Sequence, residues 1–117
     1  MKKIYIADDD RAILDATKLM LELEGYAVET FVDKDVINRI VEFPPQLLLL
    51  DIWMSGQDGK DICRTLKAKK STQQVPIIMI SASRDVEDSV REAGANDFVS
   101  KPFEMQVLTD KIKLHTS

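Results

Sequence analysis

Five short apolar runs, each followed by a stretch with helical spacing, set narrow limits on how this chain can fold. The runs are Ile4 to Ala7, Tyr26 to Phe31, Leu47 to Leu50, Val75 to Ser81 and Phe98 to Ser100. Leu47 to Leu50 is four leucines with no polar interruption. A strand with one wet face alternates polar and apolar residues. A continuous apolar run reads instead as a strand covered on both faces, as in a parallel sheet flanked by helices.

The intervening segments supply the helices. Ile13, Ala16, Met20 and Leu23 recur at helical spacing, with Asp10 placed to cap the helix and Gly25 to stop it. Asp33 can cap a second helix carrying Val36, Ile37, Ile40 and Val41, which Pro44-Pro45 ends. A polar loop follows Leu50 as far as Gly59, and Ile62, Cys63 and Leu66 mark the third helix. Val86, Val90 and Ala93 mark the fourth, stopped at Gly94, and Met105, Leu108 and Ile112 the last. Five βα units demand parallel pairing with right-handed crossovers. A closed (β/α)₈ barrel needs roughly 200 residues or more, so 117 residues predict an open, doubly wound α/β sheet in one domain, 1–117.

Composition removes several function classes. The net charge of −4 offers no basic footprint for nucleic acid. No run approaches the ~20 apolar residues of a membrane span, and four apolar residues after Lys2-Lys3 are too few for a signal peptide. A single cysteine, Cys63, allows no internal disulfide and reads as a core residue of a cytoplasmic protein. The lone His115 sits in a polar tail and reads as neither phosphodonor nor ligand.

The residues that close the apolar runs carry the chemistry. Asp8 and Asp9 follow the first run and Asp51 the third; Ser81 ends the fourth, and Lys101 follows the fifth. In a parallel sheet these strand ends share one edge, where ligands of open α/β sheets bind. Two carboxylates about 4 Å apart repel by roughly 4 kcal/mol at an effective dielectric near 20. Three together call for a cation or raised pKa values, and an all-oxygen acidic site suits Mg²⁺. Asp8 and Asp9 could also serve as helix-capping charge, as Asp10 does, but the addition of Asp51 favours a site.

At these positions the chain resembles the receiver domain of response regulators, the CheY-like module of two-component phosphorelays. The resemblance rests on Ile-Ala-Asp-Asp-Asp at 6–10, Leu-Asp-Ile-Trp-Met-Ser-Gly-Gln-Asp-Gly at 50–59, Ile-Ser-Ala-Ser at 80–83 and Gly-Ala-Asn-Asp-Phe-Val-Ser-Lys-Pro-Phe at 94–103. It runs from Lys2 to about Leu114. It implies a flavodoxin-like (βα)₅ fold with strand order 2-1-3-4-5.

The resemblance also implies roles. Asp51 would be the phosphoacceptor, a nucleophile that forms an aspartyl phosphate. Asp8, Asp9, Asp51 and the backbone carbonyl of Trp53 would hold Mg²⁺. Lys101, before a cis Pro102, would pair with the phosphoryl oxygens. Ser81 would donate its hydroxyl, with small Ala82 leaving room beside it, and Phe98 would be the switch aromatic. Phosphoryl would come from a sensor histidine kinase or histidine phosphotransfer protein. The fourth helix, fifth strand and fifth helix would signal to a downstream protein, from a monomer or a phosphorylation-dependent dimer. Such a chain is a signalling switch and not a turnover enzyme. Three positions depart from the family pattern: Ser55 replaces a usual proline, Trp53 is bulky for its place, and Ser83 is small.

Two other readings compete. A small Mg²⁺-dependent phosphohydrolase could also use a strand-end aspartyl phosphate. That reading wants a second acid two residues after the nucleophile, where this chain has Trp53. An interaction module that is never phosphorylated would have no need of the acidic site.

Overall fold

The computed structural model describes residues 1–54, 56–83 and 86–117. In chain order the elements are β1 (Lys3–Ala7), α1 (Arg11–Leu23), β2 (Ala27–Phe31), α2 (Asp35–Glu42) and β3 (Leu47–Asp51). There follow β4 (Trp53–Met54), β5 (Gln57–Asp58), α3 (Gly59–Ala68), β6 (Ile77–Ser81), α4 (Glu87–Glu92), β7 (Asp97–Ser100) and α5 (Met105–Thr116).

Five of these strands form a parallel sheet in the order β2-β1-β3-β6-β7. Counted without the small β4–β5 hairpin, this is the expected 2-1-3-4-5. Every residue of β3 and β6 is buried, as continuous apolar runs require. Alternate side chains serve two separate cores. Tyr5, Leu48, Leu50, Ile77, Met79 and Phe98 pack with residues of α2, α3 and α4. Ile4, Ile6, Leu47, Leu49, Ile78, Ile80 and Val99 pack with Leu14, Leu21, Leu108 and Ile112 of α1 and α5. The sheet is therefore doubly wound.

Most helix signals hold. Asp10 caps α1 by accepting from the Ala12 and Ile13 N–H groups. Asp33 accepts from the Asp35 N–H, and Gly25 and Gly94 adopt positive φ at helix ends. The face of α1 differs from expectation. Its buried residues are Leu14, Thr17 and Leu21, whereas Met20 and Leu23 are exposed. Apolar residues occupy most of the circumference of this helix, so spacing alone fits two registers one residue apart. The polar loop before Gly59 also contains more order than its composition suggests: Trp53 pairs with Asp58 and Met54 with Gln57, across a turn that includes Gly56 at φ 76°. Ser55 lies outside the described residues.

Candidate functional site

The sheet reverses direction at β1, whose neighbours β2 and β3 lie on opposite sides, and the site residues gather there. Ala7 stands opposite Leu50, and Asp51 opposite Ile80. Asp8 and Asp51 thus leave adjacent strands at one level. On the other side of β6, Ser81 stands opposite Ser100, and the Lys101 N–H donates to the Ser81 carbonyl. The five expected residues are thereby carried to one edge.

Carboxylate oxygens of Asp8, Asp9 and Asp51 lie within 4.8 Å of one another. Asp8 is 2% exposed and Asp51 8%, while Asp9 faces solvent. The Lys101 ammonium donates to Asp8 Oδ2 at 2.8 Å and stands 3.4 Å from Asp51 Oδ1. The other oxygen of Asp8 accepts from the Asp10 N–H at 3.0 Å. Burial and then the charge of Asp8 push the Asp51 carboxyl up to about 6, against the pull of Lys101. Burial works against the Lys101 charge, but hydrogen bonding to Asp8 and the charge of Asp51 hold its pKa above the ordinary value. Three oxygen donors in so small a volume, with one carboxyl made reluctant to ionise, fit a hard divalent cation such as Mg²⁺.

The flanking residues are placed as follows. Ser81 is buried, and its Oγ accepts from the Ser83 N–H at 3.1 Å. Ala82 and Ser83 are exposed. The Lys101–Pro102 peptide is cis. Phe98 is buried in the core shared with α4. Trp53 is 61% exposed, outside the core. Gly59 closes the segment behind the site: its N–H donates to the Ile52 carbonyl, and a Cβ there would overlap the Asp51 carbonyl oxygen.

One cluster was missed in the sequence. Asp97, at the opposite edge of β7, is buried and pairs with Lys111 at 2.7 Å, His115 at 2.9 Å and Arg91 at 3.6 Å. Burial alone would raise its pKa, but hydrogen bonds from Lys111, His115 and the Phe98 N–H hold it down at about 2. His115 therefore belongs to the last turn of α5, not to a polar tail. The signal available was the i, i+4 spacing of Lys111 and His115, which puts both on one helix face.

Comparison with known proteins agrees with this arrangement. Residues 4–113 match the response regulator receiver domain family, to which the chain belongs. It is similar to a putative response regulator from Chloroflexus aurantiacus J-10-fl, at 29% identity and TM-score 0.93, over 98% of this chain and 97% of that one. It is also similar to the receiver domain of a signal transduction histidine kinase from Syntrophus aciditrophicus, at 30% identity and TM-score 0.88, over 99% and 90% of the two chains. A third likeness is to the beryllofluoride-activated NtrC4 receiver domain dimer, at 27% identity and TM-score 0.90, over 99% and 97%. No helix among the described residues is long and apolar enough to cross a membrane.

Proposed function

We propose that this receiver domain is a phosphorylation-driven cytoplasmic switch whose phosphoacceptor is Asp51. An Asp51 carboxylate oxygen attacks the phosphorus of a phosphohistidine on a sensor kinase or phosphotransfer protein. The phosphorus–nitrogen bond breaks, and the imidazole leaves with its electron pair. Asp8, Asp9, Asp51 and the Trp53 carbonyl would hold Mg²⁺, which when bound supplies charge neutralisation for the phosphoryl oxygens.

The observation that carries this reading is the pairing of one buried carboxylate with charges of both signs. Asp51 has two acidic neighbours and the Lys101 ammonium 3.4 Å away. Lys101 then balances the phosphoryl charge. The Ser81 hydroxyl, already accepting from Ser83, still has its own proton to donate to a phosphoryl oxygen. Drawing Ser81 and its loop inward changes the packing around Phe98, and with it the surface of α4, β7 and α5 that meets a downstream protein. That surface can also support a phosphorylation-dependent dimer. The chain's own chemistry is confined to accepting the phosphoryl group and losing it to water. The hydrolase reading gains nothing, because Trp53 provides no second acid.

The test is intact-mass measurement after incubation with Mg²⁺ and a small phosphodonor. One added phosphoryl group is expected, and none in Asp51→Asn. Equal incorporation in the variant would move the acceptor elsewhere.

A further inference from the structure

The short helix α4 is held unevenly along its length. Glu87 and Asp88 are exposed, and among the described residues no side chain caps this end. The buried contacts come later, from Val90 and from Ala93 just past the last residue of the helix. The turn that follows is closed by the Gly94 N–H donating to the Arg91 carbonyl and the Ala95 N–H to the Val90 carbonyl.

Two residues of α3 grip that turn. Cys63 and Lys67 stand four residues apart, on one face of the helix. The Cys63 thiol donates to the Ala93 carbonyl at 3.5 Å. The Lys67 stem packs against Gly94, φ 101°, where a Cβ would stand 3.0 Å from Lys67 Cγ. The Lys67 ammonium donates to Val75 O at 2.8 Å, Asn96 Oδ1 at 2.9 Å and Gln73 O at 3.1 Å. An ammonium has three protons, and these three oxygens take all of them. None of the three carries a formal charge. Among the described residues, Lys67 pairs with no carboxylate. Burial pushes its pKa below the ordinary value, so the charge is kept here against desolvation with only dipoles to hold it. Asn96 extends the grip to the sheet. Its N–H donates to the Ile77 carbonyl at 2.8 Å, and the Oδ1 that accepts from Lys67 also accepts from the Ile77 N–H at 2.9 Å. One ammonium thus ties together α3, the approach to β6 and the turn into β7.

We infer that Lys67 is the pin of a hinge, a positioning residue that fixes the turn at 94–96 and leaves α4 to move at its Glu87 end. Val90 and Phe98 belong to the same core, so a change at Phe98 is delivered between the pin and the free end. The pin is a property of the resting fold and does not depend on Asp51 being the phosphoacceptor.

Nuclear magnetic resonance of the whole chain tests it in two arms. In the wild type, the Lys67 ammonium protons should be held long enough to give a signal at neutral pH. Relaxation dispersion should show microsecond-to-millisecond motion at Glu87 and Asp88 but not at Gly94, Ala95 and Asn96. Lys67→Met keeps a stem against Gly94 and removes the ammonium. Amide exchange at Ile77 and Asn96 should then rise by about tenfold or more, the scale of one hydrogen bond to a charged group. Motion should spread to residues 94–96, while Leu48 and Leu49 of β3 keep their wild-type protection. A missing Lys67 ammonium signal, motion that is equal or absent at both ends of α4 in the wild type, or an unchanged turn in Lys67→Met would each overturn the inference. So would a rise in exchange that includes Leu48 and Leu49, because that marks general loosening and not a hinge.

Discussion

Lys101 Nζ lies 2.8 Å from Asp8 Oδ2 but 3.4 Å from Asp51 Oδ1, so the lysine proposed to serve Asp51 is held first by its neighbour. The ammonium separates two buried carboxylates that would otherwise repel. Lys101→Met should lower the melting temperature of the metal-free protein, with a loss of about 3 kcal/mol for leaving buried charge uncompensated. The gain in melting temperature on adding Mg²⁺ should be larger in the variant, because the cation then relieves more repulsion. Differential scanning fluorimetry with and without Mg²⁺ checks both, and an unchanged metal-free melting temperature would contradict the arrangement.

Asp51 predicts an unusual pH dependence. Its carboxyl is raised from 3.8 to about 6, so the folded state binds the proton more tightly than the unfolded chain does. Stability from this group is therefore full below pH 3.8 and is lost as pH rises to about 6, by about 3 kcal/mol in all. Asp51→Asn should remove that decline and be more stable than wild type at neutral pH without metal. Urea titrations at several pH values should show the two proteins diverging across that window.

The opposite sign holds for Asp97. Its carboxyl is lowered to about 2, so its contribution is present above pH 3.8 and disappears as pH falls through about 2. Because Lys111 and Arg91 are partly exposed, solvent screening limits the effect to about 1–2 kcal/mol. Asp97→Asn should cost that amount at neutral pH and nothing near pH 2, measured by the same titrations.

Gly59→Ala should destabilise the protein by about 2 kcal/mol, as overpacking against a rigid backbone does. A methyl group there meets the Asp51 carbonyl and stands 3.0 Å from Ile52 Cα, neither of which can turn aside. The segment bearing Trp53 must shift, so the variant's Trp53 fluorescence should differ from wild type even without ligand.

Ser81→Ala should leave phosphorylation at Asp51 possible while reducing its effect on α4. The variant lacks the hydroxyl proposed to distinguish the two states. Amide shifts of Phe98 and Val90 on adding a beryllium fluoride mimic should shrink; a full response would show that the switch bypasses Ser81.

Strand ends were legible in the sequence because each combines a continuous apolar run with an abrupt polar stop. That pattern locates Asp8, Asp9, Asp51, Ser81 and Lys101 without knowledge of the turns between them. The inward face of α1 was not legible, since Ile13, Leu14, Ala16, Leu19, Met20, Leu21 and Leu23 leave little contrast around the helix. The β4–β5 hairpin is too short to show a period of two. The Asp97 cluster joins Asp97 to residues 6 to 18 positions away, on three elements in all. Such a cluster depends on how α4 and α5 seat against β7, which local pattern does not encode.

Phe98 and Val99 are consecutive in β7 yet belong to different cores, one with α2, α3 and α4, the other with α1 and α5. The sheet thus works as a partition wall with a door on one side. A change in how deeply Phe98 sits reaches Val90 and Ala93 directly, whereas to reach α1 it must first distort the hydrogen-bonded strands. The layer of α2, α3 and α4 can therefore alter its shape around Phe98 while α1, across the sheet, keeps its own packing.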